Sequence, residues 1–292
     1  MADFIKSLWS DKIIQALYED PDLNGMFDRS LESYAKGQGG NKIILPTLGP
    51  GGTIVRTDNK TIGAGLPLST NDISKGALEL DIYEYTYGPI LVRKLDEVQS
   101  NAPLLQKCVN EVSQAFKEFI FTTAATHIIN NVHADNKLKW TGTNGTKLTY
   151  YDVKAMRTAL NKKKVLTNNR YSIMDPDAES MIGDDDFLKH WYAIQQQAIT
   201  SGQLAALAGF GLDPTVLVPL TTAAGAIDAD ANNNKKLNVL GWRKDHLNLI
   251  IQTEMEITGG EQATLLGYQV AFTNRFGVLL DRSIGAVQST QQ

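Results

Sequence analysis

The chain has 292 residues, 42% of them hydrophobic and 21% charged, with a formal net charge of −4. Length suggests roughly two domains and the apolar content is enough for a sizeable core, and the absence of a basic excess argues against a sequence-reading nucleic-acid binder, though not against a container for nucleic acid. One cysteine, Cys108, excludes an intramolecular disulfide framework and any multi-cysteine zinc site.

Residues 3–19 place Phe4, Ile5, Leu8, Trp9, Ile13, Ala16 and Leu17 on one helical face, closed by Pro21. This start lacks the basic segment and apolar run of a signal peptide. No window approaches the apolar length needed to span a bilayer, so no membrane partner is expected. A short second helix at 22–36 carries Leu23, Phe27, Leu31 and Tyr34, and Gly37-Gln38-Gly39-Gly40 breaks it. Residues 42–98 read as strands and turns. Ile43, Ile44 and Leu45 come first, then the turn cluster Gly49-Pro50-Gly51-Gly52, then Ile54 and Val55. From 77 to 92, Leu78, Leu80 and Ile82 and then Tyr83, Tyr85 and Tyr87 read as a strand pair, with a bend at Gly88-Pro89. A two-stranded ribbon is barely stable alone, so this one needs a surface to lie on.

Asn101 and Pro103 suit the start of a helix. Leu105, Cys108, Val109, Val112, Ala115, Phe116, Phe119, Ile120 and Ile128 then repeat at three- and four-residue steps, predicting one long helix over 101–133. It reads either as the central helix of an ordinary domain or as a strut carrying the ribbon; Cys108 on its apolar face reads as a small buried hydrophobe. Asn144-Gly145 predicts a hairpin turn within 137–150. Thr149 or Asp152 starts a helix with Val153, Met156, Ala159 and Leu160. A strand over 170–174 ends at Asp175-Pro176, helices follow near 177–182 and 185–201, and Thr215-Val216-Leu217-Val218 reads as a strand closed by Pro219. This alternation predicts a small α/β domain at 151–245. Residues 221–237 read as a surface loop, 247–251 and 262–282 as strands, and the polar tail from Gln288 as a frayed end. There is no internal repeat.

Motifs for chemistry are missing. Gly37-Gln38-Gly39-Gly40-Asn41-Lys42 lacks the spacing of a phosphate loop. The stretch from Asp228 resembles the start of a calcium loop but has Asn233 and Val239 where the glycine and glutamate belong. Asp184, Asp185 and Asp186 can hold a divalent ion or cap the helix that begins near Phe187; the cap is the simpler reading. His127, His133, His190 and His246 form no helix-spaced ligand pair, no GxSxG elbow is present, and Lys162-Lys163-Lys164 reads as a solvated helix end. No enzymatic role, cofactor or metal is expected.

The order of elements is the stronger signal: a helical arm, a β-ribbon, a long helix, a small α/β domain and closing strands. Arg170-Tyr171-Ser172-Ile173-Met174-Asp175-Pro176, Gly209-Phe210, Gly241-Trp242-Arg243-Lys244-Asp245-His246-Leu247, Leu266-Gly267-Tyr268-Gln269-Val270 and Phe276-Gly277-Val278 add short matches. With them the chain resembles the major capsid proteins of tailed bacteriophages, the Hong Kong 97-type fold. That resemblance implies an α+β fold with an N-terminal arm at 1–41, an extended β-ribbon (the E-loop) at 42–98, a peripheral domain whose first part, at 99–150, holds the long spine helix, an axial α/β domain at 151–245, and peripheral closing strands at 246–292. It implies self-assembly through pentamers and hexamers into an icosahedral shell around double-stranded DNA, in a virion assembled in the host cytoplasm. A scaffolding protein and a portal are the further partners it implies; the absence of a long N-terminal scaffolding segment fits a separate scaffold or a mature chain. Ile54, Arg56, Lys60, Ile82, Tyr85 and Ile90 are then the candidate subunit contacts. Some members join a ribbon lysine to a neighbour's asparagine, but Lys60, Lys75 and Asn274 do not align with those positions, and no crosslink is expected. Three other readings stand beside this one: an encapsulin-type nanocompartment shell, another structural phage protein, and a soluble metal-dependent enzyme using Asp184, Asp185 and Asp186.

Overall fold

The computed structural model describes residues 25–37, 42–48, 75–93, 104–189, 206–222, 226–227, 235–262 and 267–292. The expected helix at 3–19, the ribbon tip and most of the helix predicted to continue to 201 lie outside them. In chain order the elements are α1 (Glu32–Gly37), β1 (Lys42–Leu48), β2 (Lys75–Asp81), β3 (Tyr83–Arg93), α2 (Leu104–Asn131), β4 (Lys137–Lys139), α3 (Tyr150–Lys162), β5 (Arg170–Met174), α4 (Pro176–Gly183), α5 (Asp186–Lys189), β6 (Ala206–Leu207), β7 (Phe210–Pro214), β8 (Asn238–Arg243), β9 (Leu247–Gln262), β10 (Gly267–Leu280) and β11 (Ala286–Thr290).

Three sheets result: β1-β2, β3-β10-β9, and β4-β11-β8-β5-β7-β6. The predicted strand pair within 77–92 is not a hairpin. β2 turns back on β1, with Ile43 opposite Leu80 and Leu45 opposite Leu78. β3 leaves it and pairs with β10 from Tyr83–Phe276 to Arg93–Gly267. Ile82, between the two strands, is the pivot: it is 5% exposed and packs with Ala35, Leu80, Ile250 and Leu279.

α2 is 28 residues long, about 42 Å at 1.5 Å per residue. Val109, Val112, Phe116, Ile120, Ala124, Ile128 and Val132 are buried along it at three- and four-residue steps. Its first half packs on Ile257, Val270 and Phe272 of the three-stranded sheet. Its second half enters a core that takes Leu249, Ile251, Phe276 and Val278 from that sheet and Ile173, Leu240, Trp242 and Ala286 from the six-stranded one. One helix therefore braces both sheets. Phe27 seals this core against Phe121 and Trp242, and the Trp242 indole N–H donates to the Met26 carbonyl at 3.0 Å.

The far face of the six-stranded sheet is covered by α3 and α4 through Val153, Met156, Leu160, Ala178 and Ile182, packed on Met174, Phe210, Val239 and Val287. Strand alternation explains the division, since Ile173 and Met174 point to opposite cores. Gly241 lies beneath this packing; a Cβ there would fall 3.0 Å from Phe210 and 3.1 Å from Met156 and Val287.

Four expectations change. The apolar strand at 215–218 is instead a turn with Val216 76% exposed, and the strand is β7, just upstream. The polar tail is not frayed: β11 lies between β4 and β8, with Gln288 and Ser289 fully buried. Consequently the boundaries at 151 and 246 do not coincide with the sheets, because β4 and β11 both belong to the six-stranded one. The hairpin at 137–150 reduces to a single bridge, Gly142–Lys147, around a turn in which Asn144 and Gly145 take φ of 59° and 83°. Asn-Gly supplies such a left-handed pair at low steric cost.

Candidate assembly surface

The two-stranded ribbon has two unlike faces. Ile43, Leu45, Leu78 and Leu80 point inward onto Ile250 and Leu279. Outward, Ile44 is 61% exposed, and Lys42 pairs with Glu79 across the strands. Gly277 lets the ribbon base approach the sheet, since a Cβ there would lie 2.7 Å from the Asp81 carbonyl oxygen. Neither strand has a further partner among the described residues, so both outer edges of the ribbon are open there. Open edges are templates for pairing with another chain.

Among the described residues β3 adds a third open edge, 11 residues long. Its odd positions carry Tyr83, Tyr85 and Tyr87 toward α2. Tyr85 stacks on Phe276 at 4.5 Å and meets Phe119 edge-on at 4.9 Å, and Tyr87 lies 6.3 Å from Phe116. Burial among these rings pushes the Tyr85 phenol above its ordinary pKa. Tyr83, Tyr87 and Phe119 remain substantially exposed, forming an aromatic surface beside the edge. On the opposite face Arg275 pairs with Glu84 at 2.6 Å.

Of the candidate contacts, Ile54, Arg56 and Lys60 lie outside the described residues. Ile82 is 5% exposed and packs within its own chain on Leu80, Ile250 and Leu279. Its phase with Leu78 and Leu80 was the available signal of that packing. Tyr85 and Ile90 are half-buried against the α2 packing. The surfaces that sequence reasoning missed are Ile44, Tyr83, Tyr87 and Phe119. Asn274 is fully buried within β10.

The chemistry-bearing residues have structural partners. Asp185 accepts from the Tyr150 amide at 2.6 Å and the Phe187 amide at 3.0 Å, so it caps the starts of α3 and α5 together. Among the described residues no group of three or more histidine, cysteine or carboxylate side chains is placed to hold a metal. Thr149 and Asp152 form a capping box at the start of α3. His246 contacts Asp281 at 2.9 Å where the two sheets are joined. His127 lies in α2 with its pKa lowered by burial. Lys163, within the basic run, pairs with Asp135 at 2.6 Å.

No protein-family model matches the sequence, and no curated protein matches it either. Solved structures do. A chain from Mycobacterium phage Che8 superposes with a TM-score of 0.64 at 15% identity, covering 91% of this chain and 89% of that one. The capsid of Ralstonia phage GP4 gives 0.66 at 10% identity, covering 87% and 84%. The SrpI encapsulin complex of Synechococcus elongatus gives 0.54 at 11% identity, covering 74% and 77%. The order of elements, the braced pair of sheets and these superpositions agree: the chain has the Hong Kong 97-type fold of tailed-phage capsid proteins.

Proposed function

We propose that this chain is the major capsid protein of a tailed bacteriophage. Copies assemble through pentamers and hexamers into an icosahedral shell that encloses double-stranded DNA, in a virion built in the host cytoplasm. The observation that carries the reading is the ribbon, which buries one face on its own chain and leaves its edges and Ile44 open, on a fold shared with phage capsids over most of the chain.

In this reading β1, β2 and the residues between them are the extended loop, α2 is the spine, β3, β9 and β10 form the peripheral sheet, and the six-stranded sheet with α3 and α4 is the axial domain. The loop would reach a neighbouring subunit through Ile54, Arg56 and Lys60, and the aromatic surface around Tyr85 and Ile90 would lie against a second copy. Obligate interfaces of this class bury several thousand Å², and closed symmetry lets one gene product complete a container. A separate scaffolding protein and a portal are the further partners. DNA is held by enclosure, consistent with the net charge of −4.

Expression of the chain, alone and with its neighbouring genes, followed by electron microscopy tests this. Closed particles or five- and six-membered rings are expected. Particles that enclose a protein cargo and no genome would instead indicate an encapsulin-type shell.

A further inference from the structure

Three arginines gather at one end of the six-stranded sheet. Arg170 of β5 and Arg243 of β8 are register partners, so their side chains leave the sheet next to each other on one face. It is the α3 face, because Met174 and Val239 share their strand phase and pack there. Arg157 comes from α3 itself. A Cβ added at Gly209 would fall 3.9 Å from its Nε and 4.0 Å from its Cζ. The Arg170 guanidinium lies 6.0 Å from the centroid of the Phe210 ring. Arg157 and Arg170 therefore flank the Gly209-Phe210 turn.

This cluster is short of negative charge. Arg170 is 3% exposed. Its Nε donates to the Leu166 carbonyl at 2.9 Å, and its Nη2 to the Val165 carbonyl at 2.6 Å and the Asn161 side chain at 2.8 Å. All three acceptors are neutral, and Nη1 takes part in none of these bonds. Burial, and then the Arg157 and Arg243 charges, lower the Arg170 pKa from its ordinary value. Arg243 pairs with Asp245 through Nη2, but its Nε is buried with no acceptor. Arg157 is exposed, and among the described residues it has no ion pair. Residues 157–170 and 206–212 contain no acidic side chain. Asp213 stands opposite Ile173 and so belongs to the α2 face. Three positive charges against the one of Asp245 leave two in excess. Like charges placed opposite each other across paired strands are destabilising, and an anion between them would remove that cost.

We propose that Arg157, Arg170 and Arg243 form a binding site for one phosphate-class oxyanion. A guanidinium fork matches the oxygens of a carboxylate or a phosphate. A carboxylate brings one charge and two oxygens. A phosphate dianion brings two charges and oxygens enough for three forks, which suits the excess and the three directions of approach. The site lies within one chain and stands whether or not copies assemble. Its occupant is either free phosphate or a phosphodiester of nucleic acid.

Thermal melts of the full chain at constant ionic strength test this. Saturating inorganic phosphate in place of chloride should raise Tm by about 4 °C. Arg157→Gln, at an exposed position, should melt in chloride no lower than wild type and lose most of that rise, and Arg243→Gln should lose it as well. Calorimetric titration with a short oligothymidylate, with and without phosphate, separates the sources. Competition between the two identifies a phosphodiester site; phosphate binding that the oligonucleotide leaves untouched identifies a site for the free ion. No rise in wild type with phosphate, together with no heat from the oligonucleotide, overturns the proposal. Equal rises in wild type and both variants overturn it too, since the effect is then general to the salt. An equal rise with acetate overturns phosphate in favour of a carboxylate.

Discussion

Single residues decide several close approaches in this fold. Gly259 of β9 is one. A Cβ there would sit 2.1 Å from the Gln269 carbonyl oxygen and 2.9 Å from the Val270 Cα. Both are backbone atoms of the paired strand, so β9 would have to pull away from β10. Gly259→Ala should destabilise the chain by about 2 kcal/mol, readable as a lower urea midpoint. Asn238 is a second case. Its side-chain oxygen accepts from Thr221 at 2.9 Å, Thr290 at 2.8 Å and Gln288 at 3.3 Å, and its amide donates to the Pro219 carbonyl at 2.8 Å. Asn238→Ala strands these buried donors and should cost about 3 kcal/mol, readable as a lower urea midpoint. His127 gives a pH dependence. Burial holds its folded pKa below the ordinary 6.5, so the unfolded chain takes up the proton first as pH falls. Its contribution is complete above the unfolded value and is lost as pH drops through 6.5 toward the folded value. Thermal melts across that window should show a shallower acid-side decline for His127→Gln; an identical slope would contradict the assignment.

Among the elements, what was readable followed periodicity and what was not followed tertiary context. The apolar repeat of α2, the Thr149–Asp152 start of α3 and the β5 strand before Asp175-Pro176 were all legible. β11 was not, because Gln288, Ser289 and Thr290 have the composition of a loose tail. Their burial depends on Asn238, 50 residues away from Gln288 in sequence, and no local pattern reports that. Nor does a local pattern report the partner of β3, which local order assigned to β2 and the sheet assigns to β10. The ribbon's alternation was visible, yet it took the sheet to show that Ile82 closes its inner face. Two experiments act at this scale. Removing residues 286–292 takes out a strand held between β4 and β8 and should leave the chain insoluble. Replacing residues 49–74 by Asn-Gly should give a folded monomer, because Leu48 and Lys75 are already register partners and a two-residue turn can join them. That monomer should not assemble. Loss of its cooperative melt would contradict the view that the ribbon tip lies outside the core.

At the scale of the molecule, one helix braces two sheets, and the chain passes between them at three adjacent places: residues 132–136, 243–247 and 280–286. The His133 amide donates to Ser283 at 3.0 Å and the Asp281 amide to His246 at 2.9 Å, and Asn136 donates to the Ile284 and Ala286 carbonyls at 3.1 and 2.8 Å. Gly285 permits this join by lying against the His246 ring, where a Cβ would be 2.6 Å away. What is left open among the described residues is peripheral: a ribbon with two unpaired edges and an aromatic edge strand. A chain that completes its interior and leaves these surfaces uncovered is suited to building with copies of itself. Electron microscopy of the purified wild-type chain, imaged beside the 49–74 replacement, tests that claim most directly. The account predicts closed shells or rings of five and six for the wild type and monomers for the replacement. A wild-type chain that remains monomeric at high concentration, with and without its neighbouring gene products, would contradict it.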